Sequence, residues 1–203
     1  MRFTCFLLLC LAFAGCSRSN RELVIGIRPI ANVPAEEIEI LKEALDSVYN
    51  ARIIILEQTP APEQAFVNIK TPRYRADKLI AWLKQNKPDT LDYVIGLTGY
   101  DISITKSDFL GRVKEPKSRY EDFGIFGLGY KPGKSCVVSY FRLGSDAVKL
   151  KDRLAKISVH EIGHNLGLDH CKNKRCVMTD AVEKISTIDN AEMKLCSKCR
   201  HNL

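Results

Sequence analysis

The sequence predicts one α/β domain, a mixed sheet with helices packed against it. Three observations predict this. The chain has 203 residues, 45% of them hydrophobic and 27% charged, the balance of a single globular unit that can bury a core without disulfide staples. Short runs rich in β-branched residues alternate with segments whose apolar residues recur every three to four positions. One of those segments, Asp146 to Leu166, reads as a single long helix that ends at Gly167.

Leu23 to Ile27 is a short apolar run, expected as a buried strand ended by Arg28 and Pro29. Pro34 opens a segment in which Ile38, Leu41, Leu45 and Val48 mark one face of an amphipathic helix. Arg52 to Leu56 reads as a second buried strand, and Thr59 to Pro62 as a turn-rich connector. Ala76 to Gln85 carries Leu79, Ile80 and Leu83 and reads as a second helix. Asp92 to Leu97 is a third strand. The Gly-rich stretch Phe123 to Tyr130 and the run Cys136 to Phe141 are expected to form a hairpin across Lys131 to Lys134, where Pro132 and Gly133 suit a turn. The long helix takes Ser145 as its expected N-cap, with Asp146 favourable in the first turn. Leu150, Leu154 and Ile157 would face the sheet. From Cys171 onward the chain is short, basic and rich in cysteine.

The charge balance, 31 Lys+Arg against 24 Asp+Glu, gives a net +7. The basic residues are spread along the chain without a stripe or interleaved aromatics, so nucleic acid is not an expected partner. The composition also excludes a disordered tail, a collagen-like repeat and a polytopic membrane protein.

Residues 1–15 read as a signal peptide. Arg2 is a short positive lead, and Phe3 to Ala14 is apolar apart from Thr4, which suits an export signal and is too short to span a bilayer. It ends in Phe13-Ala14-Gly15-Cys16, which resembles a bacterial lipobox and departs from it at Phe13. The resemblance implies lipidation at Cys16, with residues 16–22 as a tether and residues 23–203 as the folded domain. The expectation is an exported lipoprotein, anchored in a membrane and facing the periplasm or cell surface.

Residues 160–170 read His-Glu-Ile-Gly-His-Asn-Leu-Gly-Leu-Asp-His. On a helix, His160 and His164 project from one face and can share a metal. Glu161 can then reach a metal-bound water. Gly167 lets the chain leave the helix in a conformation that a β-carbon disfavours, so His170 can return as a third ligand. Three imidazoles and an open position make a catalytic zinc arrangement. The spacing is that of the metzincin signature, and Met178 lies where a Met-turn would follow.

Cys171, Cys176, Cys196 and Cys199 complete a longer pattern: His-Cys-x4-Cys-x-Met, then 17 residues, then Cys-x-x-Cys. From His160 to Cys199 the chain closely resembles the archaemetzincin family. The resemblance implies a metzincin-like fold and a zinc metallopeptidase with two zinc ions. His160, His164 and His170 would hold the catalytic zinc, with Glu161 as general base and Met178 as the floor. The four cysteines would hold a structural zinc. Spacing alone leaves a second possibility, two disulfides such as Cys171–Cys176 and Cys196–Cys199, because export implies an oxidising compartment. Cys136 reads as a buried strand residue.

The expected reaction is hydrolysis of a peptide bond by Glu161-assisted attack of zinc-bound water, on a peptide or protein substrate. The alternative is a catalytically silent, zinc-containing, peptide-binding lipoprotein. By comparison with metzincins, an extended substrate would lie along a sheet edge, for which Cys136 to Phe141 is a candidate. Tyr130 and Tyr140 are candidate oxyanion donors.

Overall fold

The computed structural model describes residues 22–180 and 184–203. The expected signal peptide and the lipidated Cys16 lie outside those residues. The elements in chain order are β1 (Val24–Ile30), α1 (Ala35–Tyr49), β2 (Arg52–Ile55), β3 (Phe66–Asn68), β4 (Pro72–Arg75), α2 (Ala76–Gln85), β5 (Tyr93–Thr98) and β6 (Ile102–Ile104). They continue with α3 (Lys117–Tyr120), β7 (Phe123–Ile125), β8 (Gly127–Gly129), β9 (Ser135–Ser139), α4 (Ala147–Asn165), α5 (Ile185–Asn190) and α6 (Ser197–His201).

Two sheets result. The larger has strand order β2-β1-β5-β9-β8. Its first four strands are parallel, and β8 runs antiparallel at one edge. The smaller has order β3-β4-β6-β7. Alternation along the central strands divides the core between two faces. Ile25, Ile27, Ile95, Cys136 and Val138 pack with Leu41 and Leu45 of α1 and Leu154 and Ile157 of α4. Val94 and Val137 point the other way, against Leu79, Ile80 and Leu83 of α2.

α1 and α2 fall where the sequence places them, and the hairpin forms across the expected turn, but between β8 and β9 only, with Phe123–Ile125 of its expected first arm pairing with β6 instead. Four further expectations are corrected. β1 does not stop at Arg28-Pro29. It runs to Ile30, with Pro29 paired in register with Leu97. β2 is an edge strand whose outer residues are exposed, not a buried one. The N-cap of α4 is Asp146, whose carboxylate accepts the Lys149 N–H at 3.0 Å, one residue beyond Ser145. The Cys136 to Phe141 run contributes β9, which lies inside the sheet, so the edge belongs to β8.

The short strands of the smaller sheet are additional to the sequence expectation. β7 and β8 are separated only by Phe126, so one extended segment leaves the small sheet and becomes the edge of the large one. That segment passes directly over α4.

Candidate metal centres

The last turns of α4 present His160 and His164 on one face. Gly167, at φ +99°, ends the helix in the left-handed region. The chain then folds back and brings in His170. The Nε2 of His164 lies 3.0 Å from that of His160 and 3.2 Å from that of His170. Zinc held tetrahedrally by nitrogens at about 2.0–2.1 Å sets them roughly 3.3 Å apart, so the three imidazoles fit the ion.

Backbone carbonyls fix which nitrogen is offered. The Nδ1 of His160 is 2.8 Å from the Val177 oxygen, and the Nδ1 of His164 is 2.8 Å from the Leu168 oxygen. A carbonyl only accepts, so each Nδ1 carries the proton and each Nε2 keeps its lone pair for a metal. Burial pushes the pKa of His160 down to about 3, and the neighbouring imidazoles add to the shift. Burial also lowers that of His164. Both are held as the neutral ring that a metal requires.

Glu161 is buried beneath the edge strand. A β-carbon on Gly127 would come within 2.8 Å of its Cγ and Oε1, and one on Gly129 within 2.6 Å of its backbone oxygen. Glycines at both positions let β8 settle onto the helix at the glutamate. Burial pushes the pKa of the Glu161 carboxyl up to about 8, against a hydrogen bond from the Gly129 N–H.

Met178 is fully buried on the other side of α4. Its Sδ would be 2.4 Å from a β-carbon on Gly163, and the Tyr49 hydroxyl 3.0 Å. Gly163, one of the three residues between His160 and His164, is therefore a glycine because Met178 and Tyr49 occupy its side-chain space. The Tyr49 hydroxyl donates to the Val159 carbonyl at 2.7 Å.

The four C-terminal cysteines form a second cluster, with ligand atoms all within 4.8 Å of one another. Cys171 and Cys196 sulfurs are 3.7 Å apart, as are those of Cys176 and Cys199. A tetrahedral thiolate site with Zn–S of about 2.3 Å requires roughly 3.8 Å between sulfurs, so this donor set also fits zinc. The distance is far beyond the ~2.05 Å of a disulfide, and all four cysteines are free thiols.

A cleft of about 1070 Å³ opens beside the histidines. It is walled by β7 and β8 on one side and by α5 on the other, with His160, Glu161, His164 and His170 along its floor. Tyr130 and Tyr140 do not line it. The Tyr140 ring packs over Gly99, and Tyr130 lends only its carbonyl nearby. Cys136 is buried in the core.

Sequence reasoning missed two residues. The Asn165 amide donates to the carbonyls of Tyr130 and Ser135, both at 3.1 Å, while its backbone carbonyl accepts from Gly133. It pins the β8–β9 turn to the end of α4. Val177 links the two donor clusters through its carbonyl on His160. The signal for Asn165 was its polarity at a helix position that faces inward; Val177 carried none.

A family model described as peptidase family M54 matches residues 35–203. Among curated proteins, the archaemetzincin of Haloquadratum walsbyi is 31% identical over 192 residues, covering 89% of this chain and 99% of its own. That of Methanocaldococcus jannaschii is 30% identical over 186 residues, covering 88% and 92%. Among solved structures, archaemetzincin from Archaeoglobus fulgidus, complexed with malonate, matches with TM-score 0.70 at 25% identity. The match covers 89% of this chain and 100% of that one.

Proposed function

The chain belongs to peptidase family M54, the archaemetzincins, and from that membership we propose which of its residues carry the reaction and how. It is a zinc metallopeptidase, and its substrates are peptides. In our reading, His160, His164 and His170 hold the catalytic zinc through Nε2, and Cys171, Cys176, Cys196 and Cys199 hold a second, structural zinc. The convergence of three Nε2 atoms on one point beside Glu161 carries this reading.

Zinc, when bound, supplies Lewis acidity toward the scissile carbonyl and makes water a better nucleophile at neutral pH. Glu161 is the general base. Burial alone would keep this carboxyl protonated at neutral pH; the positive charge of zinc, when bound, would favour its ionised form. That carboxylate would accept a proton from the attacking water and later return it to the leaving amine nitrogen. Gly127 and Gly129 keep the strand above it free of side chains, so the carboxylate stays beside the substrate path. β8 offers its outer backbone edge to an extended peptide. Met178 packs against Gly163 and braces the helix between the two ligands.

Glu161→Gln tests this. The variant should keep its zinc and lose hydrolysis of a mixed peptide library by about 10²–10⁴-fold. Zinc-loaded Glu161→Gln that still cleaves would overturn the glutamate's role.

We also propose export and lipidation at Cys16. The support is the sequence of residues 1–16 alone. Incorporation of labelled fatty acid, lost in Cys16→Ala, is the measurement that decides it.

A further inference from the structure

We propose that the hairpin formed by residues 106–114 is a membrane-docking element, inserting Phe109 and Leu110 into the surface of an anionic bilayer. Phe109 is 94% exposed and Leu110 60% exposed, and Phe109 is the most exposed large hydrophobic residue among those described. Such exposure is not a loose end of chain. Ser107 bridges Val113, the Asp108 N–H donates to the Arg112 carbonyl at 2.8 Å, and the Lys114 N–H donates to the Lys106 carbonyl at 2.9 Å. At the tip, the Asp108 carboxylate accepts the N–H groups of Leu110 and Arg112 at 2.9 and 3.0 Å. Gly111 takes the positive φ of 78° that closes the turn. The backbone is satisfied from inside, and the two apolar side chains are left pointing outward.

The surrounding charge suits an anionic surface. Residues 105–121 carry five basic and three acidic side chains. Two of the acids are engaged with the loop's own backbone: Asp108 at the tip, and Glu115, which accepts the Lys117 N–H at 3.0 Å. Arg112, Lys114 and Lys117 are exposed. Arg112 also pairs with Asp108 at 2.9 Å and Lys117 with Glu121 at 3.4 Å, so what faces a surface is the stretch's net excess of positive charge, with Lys114 beside the tip. Two apolar side chains on a narrow tip offer far less area than the roughly 1,200 Å² of a stable protein interface. They do suit shallow insertion at the headgroup boundary, with cations on the lipid phosphates.

The hairpin also adjoins the cleft. Lys106, at its base, lies 3.8 Å over the Phe123 ring, and both residues line the cleft wall. Docking through the tip would hold the cleft at the bilayer surface and favour peptides presented there. The inference stands apart from the proposed N-terminal anchor, which precedes β1.

The test places a reporter at the tip of the full-length chain. Trp82 is the chain's one tryptophan, so Trp82→Phe gives a silent background for the tip reporter, Phe109→Trp. A control reporter, Val148→Trp, sits at an 81% exposed position at the start of α4. Both proteins carry the same N-terminus, so any anchor acts equally on them. With vesicles of phosphatidylcholine and phosphatidylglycerol bearing brominated chains, fluorescence of the tip reporter should shift to the blue and be quenched, and high salt should weaken both effects. The control reporter should change little. An unquenched tip reporter, or equal quenching at the two positions, overturns the proposal. In parallel, Phe109→Asp combined with Leu110→Asp should leave hydrolysis of a short soluble peptide unchanged and slow that of a vesicle-tethered peptide roughly tenfold. If the double variant instead slows cleavage of a soluble folded protein while the tip reporter stays unquenched, the tip docks proteins and the bilayer assignment fails.

Discussion

The Nδ1 of His160 lies 2.8 Å from the carbonyl oxygen of Val177, a residue that stands between Cys176 and Met178. The segment that carries one cluster of candidate metal donors therefore orients a candidate ligand of the other. Its position is held from both sides. The Val177 N–H donates to the Lys194 carbonyl at 3.0 Å, and the Cys171 N–H to the Met178 carbonyl at 2.7 Å. A metal on the four cysteines would fix the loop that sets the His160 ring.

Cys199→Ser should therefore weaken both sites, although Cys199 touches none of the histidines. Loss of an outer-shell partner to a zinc ligand typically costs 10–100-fold in metal affinity. Zinc per chain, titrated against a chelator, should show one ion lost and the remaining one bound more weakly by about that factor. An unchanged affinity at the histidines would separate the two clusters.

Gly163→Ala should be poorly tolerated. The new methyl would meet Met178 Sδ at 2.4 Å and the Tyr49 hydroxyl at 3.0 Å. Overpacking of this kind costs about 1–3 kcal/mol. Met178→Leu keeps volume and should cost less than about 1.5 kcal/mol, with zinc retained. Denaturant midpoints of the two variants rank them; equal losses would mean that the contact does not brace the helix.

Much of this was legible in the sequence, and the reason is local. His160, His164 and His170 fall within eleven residues, and helix geometry alone projects the first two together. The helices were legible because their apolar stripes repeat over several turns. The strands of the smaller sheet were not. Phe66–Asn68 and Ile102–Ile104 are three residues each, too short for alternation to register. Whether Ser135–Ser139 is an edge or an interior strand depends on where β8 pairs, and strand order is a long-range property. Val177 and Asn165 act through partners 17 and 30–35 residues away, which no local pattern announces.

Acid should unfold the protein partly through Asp189. Arg153 of α4 donates to both its oxygens, at 2.6 and 2.8 Å, and ties α5 to the helix. That guanidinium holds the Asp189 carboxyl below its usual value. The folded pKa is depressed, so the stabilisation is full above the unfolded value of about 3.9 and is lost as pH falls through the lower folded value. Protonation of the four cysteine thiolates, if they hold zinc as proposed, would work in the same direction, so Asp189→Asn is read against the wild type at each pH. Its thermal midpoint should lie below the wild type at pH 7, and the gap should close as pH falls through the lowered folded pKa. A gap that stays constant would place the pair's contribution elsewhere.

Asn165 is the side chain through which α4 holds β8, the edge proposed for substrate. Its amide donates to two carbonyls of the β8–β9 turn, and a third bond joins its backbone carbonyl to Gly133. Asn165→Ala leaves the backbone bond intact and removes both side-chain donors. The Ser135 carbonyl is then buried without this partner, at a cost of about 1–3 kcal/mol. The functional consequence should be selective. The Nε2 atoms of the histidines do not depend on the turn, so zinc content should match the wild type. β8 should lose its fixed height above Glu161, and an extended peptide that pairs along several residues should suffer more than a dipeptide. KM for a long peptide should rise severalfold, with a smaller change in kcat. Asn165→Asp offers the same volume without the donors and sets a buried carboxylate against two carbonyl oxygens, so it should be worse than the alanine variant, while Asn165→Gln keeps the donors one methylene further out. An equal loss on long and short substrates would mean that Asn165 supports the fold alone.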